Sequence, residues 1–576
     1  MDWHKNWFFS GSLNGECFSC IPEDAEKFDF DSDCCADMEK IGKIAGKYGD
    51  ECVIYHVFEM PTARTVNFSC CTENWISWYL NGQIVCNSGF SGNDRLIDIE
   101  SHFLSFEIPQ GKNLLAIHLQ CHKNWRFGFK ENDALLQNAE ICINPDLIKG
   151  NIKMMNAVNN GPVKAAKTQS RGNMDLWKKI NIPYVRNHDA SFFSAYGGEH
   201  TVDIHAIFPD FSKDENDPES YFFSRTDRYL ATIFESGSKV FYRLGSKIEH
   251  HPEKFGTIVP PDFKKWASIC EHIIRHYNQG WADGFHWHIE YWEIWNEPDL
   301  GCGGSSPTWQ GTPEQYFDLY RTTATHLKKC FPELKIGGPA LAYNLDWLRK
   351  FLGDMTLKNE RVPLDFLSWH IYAKLPQAIK LKSIAIREML DSFGYFETES
   401  ILNEWNYLRD WESEFIYSVK SIISMKGAAF AASVMNVSQD SPTDMLMYYD
   451  ARPCPFNGIF DFYTYAPLKT YYVFQMWSAL AKLGSEVETV INNVPGFSAV
   501  AASDGKNNGI MICRYFEQDD LPENTKVILQ CKNSAIENAK LFLLDSQNDM
   551  QEIDFEQTDG KIIFAMPANS VVYLQF

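Results

Sequence analysis

Two glutamates stand where apolar segments of this chain end. The first segment closes with Asn296, Glu297 and Pro298, and because proline cannot continue a central strand, the chain must turn directly after the glutamate. A second apolar segment delivers Asn403 and Glu404. Two carboxyl groups at the ends of separate parallel strands would converge at the mouth of a barrel. Such a pair is the apparatus that cleaves a glycosidic bond, in which one carboxyl protonates the leaving oxygen while the other acts at the anomeric carbon.

The elements that would position this pair alternate along residues 151–482. Short apolar runs alternate there with helical patterns, which predicts a (β/α)8 TIM barrel. Apolar side chains at helical spacing predict one helix over about residues 261–277, and a capping box at Thr312 opens another. The predicted barrel strands are Pro183–Arg186, Lys239–Arg243, Tyr291–Trp295, Lys335–Gly338, Phe366–Trp369, Ile401–Asn403 and Met445–Tyr448.

Short strands are predicted on both sides of this barrel. Residues 1–150 alternate apolar and polar side chains between turn signals, including the hairpin dipeptide Asn81-Gly82, and predict a β-sandwich of jelly-roll type. Residues 483–576 return to short strands and predict a second β-sandwich. We therefore predict a multidomain α/β and β protein with an N-terminal sandwich at 1–150, a barrel at 151–482 and a C-terminal sandwich at 483–576.

The two glutamate segments resemble those of clan A glycoside hydrolases, and most closely those of family 39. The acid/base segment of that family has the form Trp-Asn-Glu-Pro, which is matched here by Trp295–Pro298. The family includes β-xylosidases, α-L-iduronidases and some enzymes acting on arabinose-containing glycans. The resemblance covers roughly residues 150–480 and implies that Glu297 ends the fourth barrel strand as acid/base and Glu404 ends the seventh as nucleophile. It also implies retention of the anomeric configuration, and we expect neither a cofactor nor a metal.

The resemblance extends to residues around the two glutamates. Asn296 matches the asparagine that holds the sugar 2-hydroxyl in the clan, although asparagine is also a common turn former. His370 and Tyr372 fall on one face of a strand end, where a phenol bonded to the nucleophile would favour its charged form. A family-like Arg-x-His places Arg186 to pair with a carboxylate and His188 to reach a sugar hydroxyl. Candidates for further substrate contacts are Trp405, Arg243, Trp309, Tyr449, Asp450, His250, His251 and Asn457.

The N-terminal segment has a resemblance of its own. Its aromatic-Leu-Asn-Gly sequence, ending at Gly82, and its Gly-Lys-Asn-Leu-Leu-Ala-Ile sequence, ending at Ile117, are similar to the galactose-binding-like sandwich attached to many glycosidases. Two interpretations stay open for this module, a glycan-binding surface and a structural lid beside the barrel.

Two positions that would contact the sugar differ from the pattern of the family. Xylosidases of the family carry a glutamate in the third strand, where this chain has Arg243, and often a tryptophan in the last strand, where it has Tyr449-Asp450. An exo-acting, retaining β-D-xylosidase on plant-type oligosaccharides is the leading prediction, and an arabinofuranose- or disaccharide-releasing glycosidase is the alternative. A non-catalytic glycan-binding protein is disfavoured because both glutamates keep their asparagine neighbours. A metal-dependent hydrolase would want more histidines at the strand ends.

Composition narrows the partners to an oligosaccharide. A net charge of −22 argues against nucleic acid and against an anionic membrane surface, since both need clustered Lys and Arg. The sequence has no apolar run of transmembrane length and no basic leader before an apolar stretch, so we predict a cytoplasmic protein without a membrane partner. Several of its 16 cysteines lie in apolar runs, as expected of reduced thiols. A homo-oligomer is compatible with modules that flank a barrel.

Overall fold

The computed structural model describes three β-rich or barrel modules. The described residues are 2–11, 18–43, 46–47, 49–72, 74–88, 102–121, 125–133, 137–166, 170–189, 201–246, 253–301, 307–357, 361–492, 494–519, 523–532 and 536–576. They form an N-terminal pair of sheets, a closed barrel and a C-terminal ten-stranded sheet. No helix within these ranges is long and apolar enough to cross a membrane. The predicted fold class, a TIM barrel flanked by β modules, is confirmed.

The N-terminal module packs a six-stranded sheet against a four-stranded sheet. Trp78 of the first sheet lies 5.8 Å from Phe68 and 5.6 Å from Phe129 of the second, measured between ring centroids. Asn81 and Gly82 both have positive φ, as a two-residue hairpin turn requires. The elements are β1 (Trp7–Ser10), β2 (Glu26–Phe28), β3 (Cys35–Asp37), α1 (Met38–Gly42), β4 (Glu51–Met60), β5 (Arg64–Thr72), β6 (Trp75–Leu80), β7 (Gln83–Ser88), β8 (His102–Ile108), β9 (Gly111–Gln120) and β10 (Arg126–Glu131).

The C-terminal module is built on one ten-stranded sheet. Its first strand in the chain is β11 (Ala139–Asn151), which pairs with strands from beyond residue 484 on both of its edges. The N-terminal domain predicted at 1–150 would have included this strand, so the sheets do not divide at residue 150. Its other strands, numbered after the barrel, are β20 (Ser485–Ile491), β21 (Phe497–Ser503), β22 (Asn508–Arg514), β23 (Thr525–Cys531), β24 (Lys540–Leu544), β25 (Asp549–Ile553), β26 (Glu556–Thr558), β27 (Lys561–Met566) and β28 (Ser570–Gln575).

Between these modules, parallel strands close into the barrel. The strands are β12 (Met154–Asn159), β13 (Tyr184–Arg186), β14 (Lys239–Leu244), β15 (Tyr291–Ile294), β16 (Lys335–Leu341), β17 (Phe366–Ala373), β18 (Glu399–Tyr407) and β19 (Met445–Tyr448). The helices are α2 (Met174–Lys179), α3 (Ile204–Ile207), α4 (Ser224–Glu235), α5 (Phe263–Gln279), α6 (Pro313–Cys330), α7 (Leu345–Met355), α8 (Pro376–Ser392), α9 (Phe415–Ile422), α10 (Met425–Gln439) and α11 (Lys469–Leu483).

The predicted barrel elements coincide with observed ones, with one omission. Each of the predicted strands overlaps one strand between β13 and β19, and α6 begins with the predicted capping box at Thr312. The first strand, β12, was not predicted, because Asn156 and Asn159 interrupt its apolar run. It closes the barrel by pairing with β13 on one side and β19 on the other.

Candidate active site

The two glutamates lie at the carboxyl ends of the fourth and seventh barrel strands. Glu297 follows β15, and its φ of 52° turns the chain into the short 3-10 helix that begins at Pro298. Non-glycine residues avoid this left-handed region, so the turn is an imposed conformation of the kind found at functional sites. Glu404 lies in the C-terminal half of β18. The strand positions are those that the sequence predicted.

The two carboxyl groups face each other across His370. One oxygen of each glutamate and one ring nitrogen of His370 lie within 4.8 Å of one another. His370 Nδ1 lies 2.8 Å from Glu297 Oε1 and 3.6 Å from Glu404 Oε2. Retaining glycosidases hold their carboxyl groups about 5–5.5 Å apart, whereas inverting enzymes need about 6.5–9.5 Å to admit a water molecule. The close approach of the two carboxyl groups therefore fits the double-displacement reaction.

Glu297 is built to hold a proton. Burial, together with the nearby carboxylate of Asp299, raises its pKa to about 8. Its Oε1 contacts His370, whereas its Oε2 has no hydrogen-bond partner among the described residues. Burial also lowers the pKa of His370 to about 4, so this imidazole is neutral at pH 7 and places no cation beside the acid. Oε2 is thus the oxygen from which a proton can be given to a bound molecule.

Two neighbours favour the carboxylate form of Glu404. The hydroxyl of Tyr372 donates to its Oε1 at 2.6 Å, and Arg186 Nη1 lies 3.4 Å from its Oε2. Burial raises the pKa of Glu404 above its ordinary value, while Arg186 and the Tyr372 hydroxyl lower it. At Glu297, burial and Asp299 outweigh the nearby cations and raise the pKa to about 8. The single proton of this coupled pair therefore resides on Glu297.

Arg186 connects the residues around the two carboxyl groups. Its Nε donates to Glu293 Oε2 at 2.7 Å, and its Nη2 donates to Asn296 Oδ1 at 2.7 Å. Its Nη1 also donates to Asn159 Oδ1 at 3.0 Å. The side chain has no solvent exposure, so it is the central cation of a buried network. The sequence predicted its pairing with a barrel carboxylate, but not that Glu293 is the nearer partner.

Removing this cation should be costly. Arg186→Met is expected to lower the free energy of unfolding by about 3–5 kcal/mol, because Glu293 and Glu404 would stay buried without their guanidinium partner. Urea unfolding followed by tryptophan fluorescence measures the change. Arg349→Met on the exposed face of α7 is the matched control, with an expected change within about 0.5 kcal/mol. Equal losses in the two variants would contradict the role of Arg186.

Two further predicted residues offer unused polar atoms. Asn296 is anchored through its Oδ1, while its Nδ2 has no hydrogen-bond partner in the described ranges. The same holds for Nδ1 of His188, whose pKa is lowered well below its usual range by burial and by the cations Arg186 and Arg243. Buried polar groups are normally satisfied. These atoms are therefore suited to the hydroxyl groups of a bound sugar.

Tyr449 and Asp450 lie in a network at the end of the last barrel strand. Arg452 forms ion pairs with Asp450 at 2.8 Å and with Asp189 at 3.2 Å, and its Nη2 donates to the Tyr449 hydroxyl at 3.1 Å. Asn160 donates to Asp450 Oδ2 at 2.9 Å, and burial raises the pKa of Asp450 to about 6. Asp450 is fully buried and therefore positions its neighbours, whereas Tyr449 is only half-buried.

Some predicted residues lie elsewhere. Trp405 points out of the barrel, packs on Tyr448 and Phe430 and has no solvent exposure, so its assignment to substrate binding is corrected. Trp309 is equally buried and packs on Trp295 behind β15. The remaining residues were predicted to form outer substrate-binding subsites. Arg243 is fully buried and paired with Asp203 at 2.6 Å, Asn457 caps its own loop, and His250 and His251 lie outside the described residues.

Sequence reasoning missed several members of the site. Glu293 shares an inward face with Tyr291, and strand alternation was the signal that would have found it. Asn159 and Asn160 end the unpredicted strand β12. Asp299 accepts hydrogen bonds from three successive backbone amides, at residues 342–344, and so fixes the loop after β16 beside the acid.

Among the residues that the structure describes, two clusters have the spacing of metal ligands. One consists of Glu297, His370 and Glu404, where Arg186 already supplies a positive charge beside Glu404, which disfavours a cation there. The other consists of Glu271, His326 and Cys330 on α5 and α6, where Arg275 pairs with Glu271 and disfavours a cation in the same way. Neither cluster supports an assignment of a metal.

Comparison with known proteins points to a family of glycosidases. Residues 173–403, which span both asparagines and the loop of Glu297, match Glycosyl hydrolases family 39. The matched segment is less than half of the chain and is similar to that family. The chain is also similar to a beta-xylosidase from Caldicellulosiruptor saccharolyticus, to which it is 34% identical over 165 residues. That match covers 27% of this chain and 31% of that enzyme, so the chain spans less than a third of this curated relative.

Solved structures share the architecture of this chain. A glucosidase from Croceicoccus marinus superposes with a TM-score of 0.62 at 22% identity, covering 76% of this chain and 98% of that one. A monomeric beta-xylosidase from Caulobacter crescentus CB15 superposes with a TM-score of 0.57 at 14% identity, covering 76% and 99%. At these identities the likeness establishes the shared fold.

Proposed function

We propose that this protein is a retaining glycoside hydrolase that removes single sugars from short plant-type oligosaccharides, with β-D-xylose as the leading sugar. The observation that carries the proposal is the pair of buried carboxyl groups, whose oxygens lie within 4.8 Å of each other with the proton on Glu297. The match of residues 173–403 to family 39 and the likeness to a beta-xylosidase support the choice of sugar.

In the first step, Glu404 attacks the anomeric carbon and forms a glycosyl ester. At the same time Glu297 gives its proton, from Oε2, to the departing oxygen. In the second step, Glu297 is a carboxylate and takes a proton from a water molecule, which displaces Glu404 and releases the sugar with its original configuration. Asn296 Nδ2 and His188 Nδ1 hold hydroxyl groups of the sugar, and bonds of this kind strengthen in the transition state.

An arabinofuranose-releasing activity is the second candidate. Arg243 stands in the third strand, where xylosidases of the family carry a glutamate, and Tyr449-Asp450 stands where they often carry a tryptophan. Both positions adjoin His188, which is proposed to hold a sugar hydroxyl: the fully buried Arg243 donates to the carbonyl of His188, and Tyr449 lies 6.4 Å from the His188 ring. They support a sugar that differs from xylose in shape.

Hydrolysis of an aryl glycoside panel tests both candidates. The panel contains β-D-xyloside, α-L-arabinofuranoside, α-L-arabinopyranoside, β-D-galactoside and β-D-glucoside, with product configuration followed by NMR. Turnover of the β-xyloside with retention supports the leading proposal, and turnover of the α-L-arabinofuranoside alone supports the second. An inverted first product would contradict the double displacement.

Buried thiols support a reducing compartment. Cys52, Cys70 and Cys270 are free cysteines that lie in the hydrophobic cores of the N-terminal module and the barrel. Proteins of oxidising compartments generally form disulfides. We therefore propose that the enzyme acts inside the cell, on oligosaccharides that have been taken up.

Tyr372→Phe should shift the pH profile. Glu404 must be ionised to attack, so activity is lost as pH falls through its pKa, and loss of the phenol donor raises that pKa further. We expect the acidic limb of kcat/KM to move to higher pH and kcat at the optimum to fall about tenfold, the worth of one hydrogen bond to a charged group. Tyr395→Phe, whose hydroxyl donates to the carbonyl of Val362 outside the site, is the control. An unmoved acidic limb would count against this role.

A further inference from the structure

Trp411 is a large aromatic side chain left open at the rim of the site. Its exposed fraction is 59%, and it lies in the loop that follows β18. Its ring stands edge-on to that of Tyr372, with centroids 5.0 Å apart. Tyr372 in turn donates to the nucleophile Glu404 at 2.6 Å. One side chain therefore separates this exposed indole from the proposed point of attack.

The loop holds Trp411 in place from below. The carboxylate of Asp410 accepts from the backbone amides of Glu412 and Glu414, at 2.9 and 2.8 Å. The indole rests on Phe415 and Phe456, with centroids 6.1 Å away in both cases. Because its inner face is packed and its outer face is open, the ring is a preformed platform rather than a mobile side chain. A preformed surface loses little entropy on binding.

The C-terminal module fixes the same loop. Arg409, directly before it, is buried and pairs with Glu517 at 2.6 Å, and its guanidinium lies 3.8 Å from the centroid of Tyr417. Glu517 also accepts from the hydroxyls of Tyr407 and Tyr515, at 2.9 and 3.0 Å. The position of Trp411 is thus determined by contacts that reach beyond the barrel.

We propose that Trp411 is a stacking subsite for the sugar ring on the leaving-group side of the cleaved bond. This inference rests on the proposed glycosidase function. The polar atoms assigned to the first sugar belong to buried residues, whereas Trp411 is open to solvent, and the leaving group is the part of the substrate that must return to solvent. Pyranose rings present a face of C–H groups that packs on a flat aromatic surface. An exposed aromatic face beside a catalytic pair is a binding feature.

The test compares two substrates that differ only in the leaving group. Xylobiose carries a second sugar ring, whereas β-D-xylosyl fluoride carries none. Trp411→Ala is expected to lower kcat/KM for xylobiose about tenfold more than for the fluoride, the worth of one aromatic contact. Most of that loss should appear in KM, and Trp411→Phe should restore part of it. Phe396→Ala is the matched control, since this aromatic is 67% exposed in the loop that precedes β18, at the opposite end of the barrel.

The outcomes separate the subsite from the function. Hydrolysis of both substrates by the wild type with equal losses in Trp411→Ala would overturn the subsite and leave the glycosidase intact. A loss no larger than that of Phe396→Ala would do the same. No hydrolysis of either substrate by the wild type would contradict the xylosidase proposal, and the subsite with it.

Discussion

Glu404→Gln is expected to lower kcat on the best aryl glycoside by on the order of 10⁴- to 10⁶-fold, the range seen when a covalent catalyst is removed. The amide keeps the size of the side chain but cannot form the glycosyl ester. The hydroxyl of Tyr372 can still donate to the amide oxygen, so the pocket should keep its shape. KM should therefore change far less than kcat.

The measurement is steady-state turnover with near-UV circular dichroism to establish folding. Glu399→Gln is the matched control, because Glu399 lies at the other end of the same strand and pairs with Lys335 at 2.6 Å. It should keep kcat within a few-fold of the wild type. If Glu404→Gln retained more than a hundredth of the activity while folded, another group would have to be the nucleophile.

Strand ends were the most predictable part of this molecule. An apolar run stopped by Asn296-Glu297-Pro298 has one simple interpretation, because a buried strand cannot continue through proline. The run before Asn403-Glu404 is similar, and both glutamates lie where the sequence placed them. Each of these two sequence patterns is local, because it occupies fewer than ten consecutive residues.

Side-chain direction was harder to predict. Trp405 follows the nucleophile in sequence, yet its ring packs against Phe430 of α10 and so faces the helices rather than the inside of the barrel. Glu293 illustrates strand alternation for a side chain that points into the barrel. It lies inside the barrel because alternation from Tyr291 puts it there, and Arg186 of another strand makes its burial tolerable.

The pairing of strands distant in sequence was not predicted. β11 reads as one more strand of an N-terminal sandwich, but its hydrogen bonds go to β20 and β23, more than 300 residues later. β12 has too many asparagines to look like a barrel strand, and only its pairing with β13 and β19 makes those amides useful. In both cases the deciding energy comes from contacts that a single sequence does not display.

Glu297→Ala is expected to cost about 10²- to 10⁴-fold on xylobiose, the usual contribution of a positioned general acid. The cost should depend on the leaving group, which distinguishes this residue from Glu404. A 2,4-dinitrophenyl glycoside needs no proton to leave, so its first step should be nearly unaffected. Its second step still needs a base, and a burst followed by slow turnover is the expected trace.

The pH dependence of kcat/KM tests the role of Glu297 as the acid independently. Glu297 must be protonated for the first step, and its pKa is raised to about 8, so wild-type kcat/KM on xylobiose should fall as pH rises through about 8. The alanine variant should lose this alkaline limb because the titrating group is gone. Glu290→Ala, just before the same strand, should keep it.

Azide completes the assignment. Alanine at 297 leaves space beside the glycosyl ester, so azide should restore turnover and yield the β-glycosyl azide, attacking the face that water would have used. The corresponding Glu404→Ala variant should instead yield the α-glycosyl azide, because azide then takes the place of the nucleophile itself. Products of the opposite configuration would exchange the roles of the two glutamates, since each azide enters from the side of the carboxyl group that it replaces.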